Sequence, residues 1–375
     1  MMKFTLWKGL LFSLMMCLIT LGITELLFRL LLPFPLGTKH TYTSAPDVLY
    51  FHRPESSGYE IAAMQDFRPS HVRYNEFGFR GDSLAGVTRP IVVLMGDSFV
   101  EARQVDEKSS FPGLLSDQFN EYTFVNAGCS AYTTTTEYLL LKNRVLDIKP
   151  RKVILFFTFN DYADNFNYQG GYFRHPEIFS GELPPELRPN LGESILPRSI
   201  LEIMKVHSAI VANMARWLSV KPKAELAIPP DRTLFQHTFK AVNTPTHKLD
   251  DEGRKVLEFT HRGLAEIAAL AKQQGIEFSV FIIPLPTQVS SREWSPGKAV
   301  YYGYKLDEFD DSVVYQSRLK SFCTTAGIEC IDLLPDFRAA SSSGSVLFLP
   351  YDGHWTEEGH RVVARAVARY LGAPR

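Results

Sequence analysis

The chain has 375 residues, 45% hydrophobic and 22% charged, a globular composition long enough for one large domain or two modest ones. Its formal net charge of −1 gives no basic excess for nucleic acid, and no polybasic run marks an anionic membrane surface. Four cysteines form no disulfide framework, and no CxxC pair or His-rich tract supports a metal site.

Residues 1–36 read as a membrane element. Lys3 and Lys8 precede Gly9–Thr24, an uncharged stretch rich in Leu, Met and Ile. Glu25 and Arg29 follow, four apart, so on a helix they pair on one face. Gly9 to Leu32 is long enough to span a bilayer. The rival is a cleaved signal peptide, but no Ala-x-Ala-like cleavage site is evident, and an uncleaved anchor is expected. The two lysines place the N-terminus in the cytoplasm and everything after Leu32 outside.

Residues 37–89 form a low-regularity approach segment, expected to pack on the domain that follows. Within it, Tyr74-Asn75-Glu76-Phe77-Gly78-Phe79-Arg80-Gly81 predicts a tight turn that acts as a packing clip without chemistry.

The main domain is placed at residues 90–375. It opens on Ile91-Val92-Val93-Leu94-Met95, an apolar run that predicts a buried strand of a parallel sheet and leads into Gly96-Asp97-Ser98. Ligand crevices in such sheets lie at the carboxyl ends of the strands, so Ser98 would stand at the crevice. Gly-Asp-Ser alone has two readings of equal weight: a nucleophile turn, or a simple cap of the next helix.

Ser109–Asn120 predicts a helix with Phe111, Leu114, Leu115 and Phe119 on one face. Thr123–Asn126 predicts a short strand ending in Ala127-Gly128-Cys129, Thr133–Leu146 a helix, and Lys152–Phe157 a strand running into Thr158-Phe159-Asn160-Asp161. This β-α-β-α-β order implies a doubly wound parallel sheet.

Residues 161–250 break the rhythm, with the Pro-rich stretch Pro184–Pro197, a helix expected at Ser199–Leu218 and the Pro229-Pro230 break. A connection this long inside a domain reads as an insertion over the crevice, a lid or specificity region. Thereafter helices are expected at Asp250–Gln274, Tyr315–Ala326 and Thr356–Leu371, and strands at Glu277–Ile283 and Ile328–Leu333. Thr356 is a good N-cap, with Glu357 and Glu358 in the first turn. A bridge between Cys323 and Cys330 is open to an oxidising compartment, and geometry decides it.

Four strand or loop ends carry polar residues where a crevice should be: Ser98, Gly128, Asn160 and the Asp352-Gly353-His354 turn. Each alone reads as a cap or turn. Together, and in this order, they resemble the blocks of the SGNH hydrolases, the GDSL-like esterase superfamily, over about Arg89 to Leu371. The single residue between Asp352 and His354, and the Gly78-Phe79-Arg80 segment, resemble a membrane-anchored branch of alginate-type O-acetyltransferases and related exopolysaccharide proteins.

The resemblance implies an α/β fold of flavodoxin-like, three-layer α/β/α type. Ser98 would be the nucleophile, His354 its base and Asp352 the residue that orients the imidazole. The N–H groups of Ser98 and Gly128 and the Asn160 amide would form the oxyanion hole, with Gly128 leaving room for substrate. No metal or cofactor is expected. The leading expectation is a serine esterase that removes acyl groups, chiefly acetyl, from extracytoplasmic carbohydrate. The alternatives are an O-acyltransferase, fed by a membrane-bound acyl-donor protein, and a non-catalytic carbohydrate-binding or assembly factor.

Overall fold

Five apolar runs pair into one parallel sheet: β5 (Ile91–Gly96), β6 (Thr123–Gly128), β7 (Lys152–Phe157), β8 (Glu277–Ile282) and β9 (Glu329–Asp332). The structure is a computed structural model that describes residues 2–32, 41–60, 68–167, 178–179, 204, 208–219, 251–293 and 312–372. The strands lie in the order β6-β5-β7-β8-β9. Counted within the sheet this is 2-1-3-4-5, the flavodoxin-like winding, and its direction reverses between β5 and β7.

The pleat sends alternate residues to opposite faces. Val93, Met95, Val153, Leu155 and Phe157 enter one core. Val92, Leu94, Ile154 and Phe156 enter the other. The first core is closed by α4 (Thr134–Asn143), α7 (Asp251–Gln273) and α9 (Val314–Ala326), through Leu139, Leu264, Ile267 and Leu319. The second is closed by α3 (Phe111–Gln118), α10 (Leu334–Ser342) and α11 (Glu357–Tyr370), through Phe111, Leu115, Phe337 and Val363. A mixed α/β fold in three layers results, with the single turn α8 (Pro286–Val289) following β8.

Element ends differ from the sequence expectation in ways that capping explains. Helix α3 starts at Phe111 because the Ser110 side chain accepts from Gly113 N, with Pro112 in the first turn. Strand β6 runs on through Gly128, which lies opposite Gly96 of β5. In α11, Thr356 caps Gly359 N as expected.

The approach segment is more regular than its composition suggests. β1 (Tyr42–Ala45) pairs antiparallel with β2 (Leu49–His52), and β3 (Ser57–Glu60) with β4 (Ser70–Arg73). Four-residue strands are too short for alternation to be read from sequence. The Tyr74–Gly81 turn is tight as expected. Asn75 Oδ1 accepts from Phe77 N and Phe79 N, both at 3.0 Å.

Helix α1 (Met2–Leu31) contains Trp7–Leu31, long and apolar enough to cross a membrane. Within 161–250 the described helices are α5 (Asn160–Asn167) and α6 (Ala209–Ser219). The Pro184–Pro197 stretch and the Pro229-Pro230 break lie outside the described residues. All four cysteines are free thiols, and Cys323 is hydrogen-bonded with Cys330.

Candidate active site

The turn after β5 lifts Ser98 out of the sheet at the switch point. Asp97 Oδ1 accepts from Phe99 N at 2.9 Å and so caps α2 (Ser98–Glu101), a single helical turn. Asp97 is thus the cap, and Ser98 stands half-buried beside it. The Ser98 backbone N–H, at the first helical position, donates to no group among the described residues.

His354 reaches Ser98 from the loop before α11. That loop is closed by an antiparallel bridge between Phe348 and Trp355, and Leu349 N donates to His354 O at 2.8 Å. Gly353 adopts φ +84, a left-handed conformation that Gly takes without Cβ strain. The chain thereby doubles back within one residue, and Asp352 Oδ1 meets His354 Nδ1 at 2.5 Å. On the other side of the ring, His354 Nε2 lies 2.6 Å from Ser98 Oγ. Phe99 packs against the imidazole with ring centroids 4.8 Å apart. A single intervening residue between Asp and His is thus long enough for an in-line Ser–His–Asp chain.

Electrostatics favour the protonated form of the His354 imidazole. Burial works against the imidazolium, but Asp352, with help from Asp97 and Glu101, outweighs it and raises the His354 pKa above the ordinary value. Burial likewise pushes the Asp352 carboxyl up, and the charge and hydrogen bond of His354 bring it below the usual carboxylate range.

Asn160 stands at the carboxyl end of β7, across the switch point from Ser98. Its Nδ2 donates to Asp97 Oδ2 and to Asp164 Oδ2, each at 3.1 Å. The first bond ties the ends of β5 and β7 together. Glu137 on α4 and Asp161 on α5 lie fully buried nearby, both pushed far up by burial.

Gly128 departs from the role that its sequence position suggested. Its N–H donates to Asn126 Oδ1 at 3.0 Å and is not free for an oxyanion. The space a side chain would need is filled by α2, not by a crevice: a Cβ would sit 2.2 Å from Glu101 N and 2.6 Å from Val100 C. Gly128 is required by the close approach of β6 to the turn that carries Ser98. Cys129 is fully buried packing, and His360 is buried against Phe111 and Trp355.

Sequence reasoning missed Glu101, at the end of α2. It is fully buried. Tyr42 Oη and Tyr74 Oη each donate to it at 2.7 Å, Ser130 N donates at 2.8 Å, and His52 Nε2 lies 3.1 Å away. Burial alone would raise its pKa, but His52, Arg103 and Ser130 hold it well below the carboxylate range. Arg80 in the clip donates to Glu101 O at 2.6 Å and Val105 O at 2.7 Å. The approach segment therefore grips the turn that carries Ser98. The one local signal was an acidic residue directly after Phe99-Val100 in a helix of one turn.

An α/β sheet with Ser, His and Asp in line at its switch point resembles a hydrolase-like fold of SGNH type. Residues 244–374 match the family described as SGNH hydrolase-like domain, acetyltransferase AlgX, a segment that holds Asp352 and His354 but not Ser98. The chain thus resembles the SGNH superfamily and, within it, the exopolysaccharide O-acetyltransferases. No curated protein sequence matches it. Among solved structures it is similar to an acetylxylan esterase from Geobacillus stearothermophilus, at 11% identity over 76% of this chain and 95% of that one, TM-score 0.39. The acetyl xylan esterase AlAXEase gives 13% identity over 75% and 99%, TM-score 0.40. A lipolytic G-D-S-L family protein from Veillonella parvula gives 12% over 75% and 97%, TM-score 0.37.

Proposed function

We propose that this protein is a membrane-anchored serine enzyme that handles acetyl esters of extracytoplasmic carbohydrate through an acyl-Ser98 intermediate. The observation that carries this reading is the hydrogen-bonded line from Ser98 Oγ through His354 to Asp352. His354 takes the Ser98 proton as Oγ attacks the acyl carbon, and Asp352 holds the imidazole and stabilises its charge. The developing oxyanion faces the Ser98 N–H, with the Asn160 amide turning to meet it; one such donor is worth roughly 2.7–4 kcal/mol of barrier. Protonated His354 then releases the alcohol.

Water or a sugar hydroxyl completes the second half-reaction. Water makes the protein an esterase. A sugar hydroxyl makes it an O-acyltransferase, which a membrane-bound acyl-donor protein would supply, and the match of residues 244–374 to an acetyltransferase family favours this second course. Lys3 and Lys8, near the N-terminal end of α1, support an uncleaved anchor with the catalytic domain outside the cytoplasm. Residues 161–250 are proposed to shape acceptor choice.

The test is covalent labelling of the detergent-solubilised chain by a fluorophosphonate, together with acetate release from an activated aryl ester. Ser98→Ala should abolish both, and His354→Ala should cost several orders of magnitude, because the residues act as a unit. Acetate that appears on added oligosaccharide identifies a transferase, and acetate only in water an esterase. A folded wild type that is neither labelled nor active sinks the enzyme reading and leaves a carbohydrate-binding role.

A further inference from the structure

Glu25 sits six residues inside the end of the candidate membrane span Trp7–Leu31, about 9 Å along the helix at 1.5 Å per residue. A carboxylate at that depth in hydrocarbon is costly and needs partners. Arg29 Nε supplies one at 2.7 Å. The others come from the N-terminus of α6: Ser208 Oγ at 2.9 Å, Ala209 N at 2.7 Å and Ile210 N at 3.1 Å. These amides belong to the first turn of a helix, where N–H groups lack an intrahelical acceptor and the dipole favours negative charge. Each element therefore satisfies the other, and the bonds fix the start of α6 at the level of Glu25.

The composition of α6 suits that depth. Ala-Ile-Val-Ala-Asn-Met-Ala-Arg-Trp-Leu-Ser carries one charge in eleven residues. Two of its polar groups are answered locally. Val211 N donates to Ser208 Oγ at 3.3 Å, and Asn213 Nδ2 donates to Ala209 O at 2.9 Å. Ala209 and Ala212 are buried, and α6 packs on α1. Met214 is 55% exposed, while around the capped carboxylate α1 exposes Leu26, Leu27, Leu30 and Leu31.

We propose that α6 is a second membrane contact, with its exposed Met214 lying in the outer leaflet of the bilayer beside the outer end of α1. The occupant follows from continuity: α6 is bonded to a residue within the span, so the medium around Leu26 to Leu31 also surrounds Met214. The chain then meets the membrane twice, once through α1 and once through the insertion. This inference rests on α1 being a retained anchor, as proposed above.

The test uses the full chain in phospholipid nanodiscs. A nitroxide is placed at Met214→Cys with Cys17 and Cys330 changed to Ser; Cys129 and Cys323 are fully buried. Collisions with dioxygen, which concentrates in lipid, are compared with collisions with a water-soluble nickel chelate. Reference labels are native Cys17 in α1 and Val346→Cys, exposed in the catalytic domain. The label at 214 should favour dioxygen, as at 17 and opposite to 346. Glu25→Ala should reverse that preference at 214 while 17 stays lipid-facing, and hydrolysis of a soluble aryl acetate should be unchanged. A label at 214 that behaves like 346 overturns the contact. If 17 still favours dioxygen, the anchor stands without it; if 17 also favours nickel, the anchor reading fails as well. Shielding of 214 from both reagents means a protein neighbour and overturns the lipid contact too.

Discussion

Tyr74 donates its phenolic hydroxyl to Glu101 Oε1 at 2.7 Å, joining the approach segment to the one-turn helix that begins with Ser98. The bond is one of several that converge on a carboxylate with no solvent exposure. Breaking a buried charged network by removing its centre strands the partners, at roughly 3–5 kcal/mol. Glu101→Ala should therefore lower unfolding stability by about that amount and reduce turnover with it. Glu101→Gln should cost less, and Tyr74→Phe about 1.5–3 kcal/mol for one hydrogen bond to a charged group. Denaturant unfolding of the three variants checks the order. If Glu101→Ala is as stable as Tyr74→Phe, the network does not hold the turn.

Gly128→Ala separates two roles for this residue. An oxyanion donor acts through its N–H, which alanine keeps. A residue wedged under α2 cannot take a Cβ 2.2 Å from Glu101 N and 2.7 Å from Val100 Cβ without displacing the turn that carries Ser98. Overpacking of this kind typically costs 1–3 kcal/mol. The expected outcome is a lower melting temperature and a lower rate together. A variant that melts like wild type and turns over normally would show that the contact yields easily.

The parts of the site that sequence carried are those set by local pattern. Lys152–Phe157 is a strand because its apolar run admits no other use, and Asp352-Gly353-His354 is a turn that brings two side chains together within three residues. The Glu101 network was hidden because its donors, Tyr42, His52 and Tyr74, stand 59, 49 and 27 residues away in the chain. For the same reason Gly128 was read as making room for substrate. Its neighbour is a helix that precedes it by some 27 residues, and no spacing rule reports such an approach. The link between Glu25 and α6 spans 183 to 185 residues, and from sequence Glu25 offered only Arg29 as a partner.

Asp352→Asn should show its origin in a pH profile. Asp352 raises the His354 pKa, and a general base works only when deprotonated, so kcat/KM rises with pH through the His354 pKa. Without the negative charge the imidazolium is less stable, and the midpoint of the acid limb moves to lower pH. The rate should fall by about 10⁴, as for loss of the orienting carboxylate in comparable triads. An acid limb that stays in place would show that Asp352 does not act on the ring electrostatically.

If Asn160 is the oxyanion donor proposed above, Asp164 should make it conditional on pH. Both N–H groups of the Asn160 amide are held by carboxylates, Asp97 Oδ2 and Asp164 Oδ2. Asp97 is fully buried and also caps α2, whereas Asp164 is half-buried, so Asp164 is the partner that can yield to an oxyanion. Burial, reinforced by the charge of Asp97 and opposed by the Asn160 bond, pushes the Asp164 pKa up to about 7. Asp161 on α5 also feels the Asp164 charge, and burial disfavours charge on that carboxyl as well. Below pH 7 Asp164 is neutral and adds no charge opposite the oxyanion. Above it, the carboxylate grips Asn160 and repels the developing charge. kcat should therefore fall as pH rises through about 7, and Asp164→Asn should remove that alkaline limb and leave the acid limb in place. Stability has the same sign. The folded state holds the Asp164 proton up to about pH 7 and the unfolded chain only to about 4, so this residue's contribution is lost as pH rises across that window. Melting temperatures at pH 5 and 8, with kcat profiles for wild type and Asp164→Asn, decide it. An alkaline limb that survives the substitution would place the titration elsewhere and leave Asp164 a bystander.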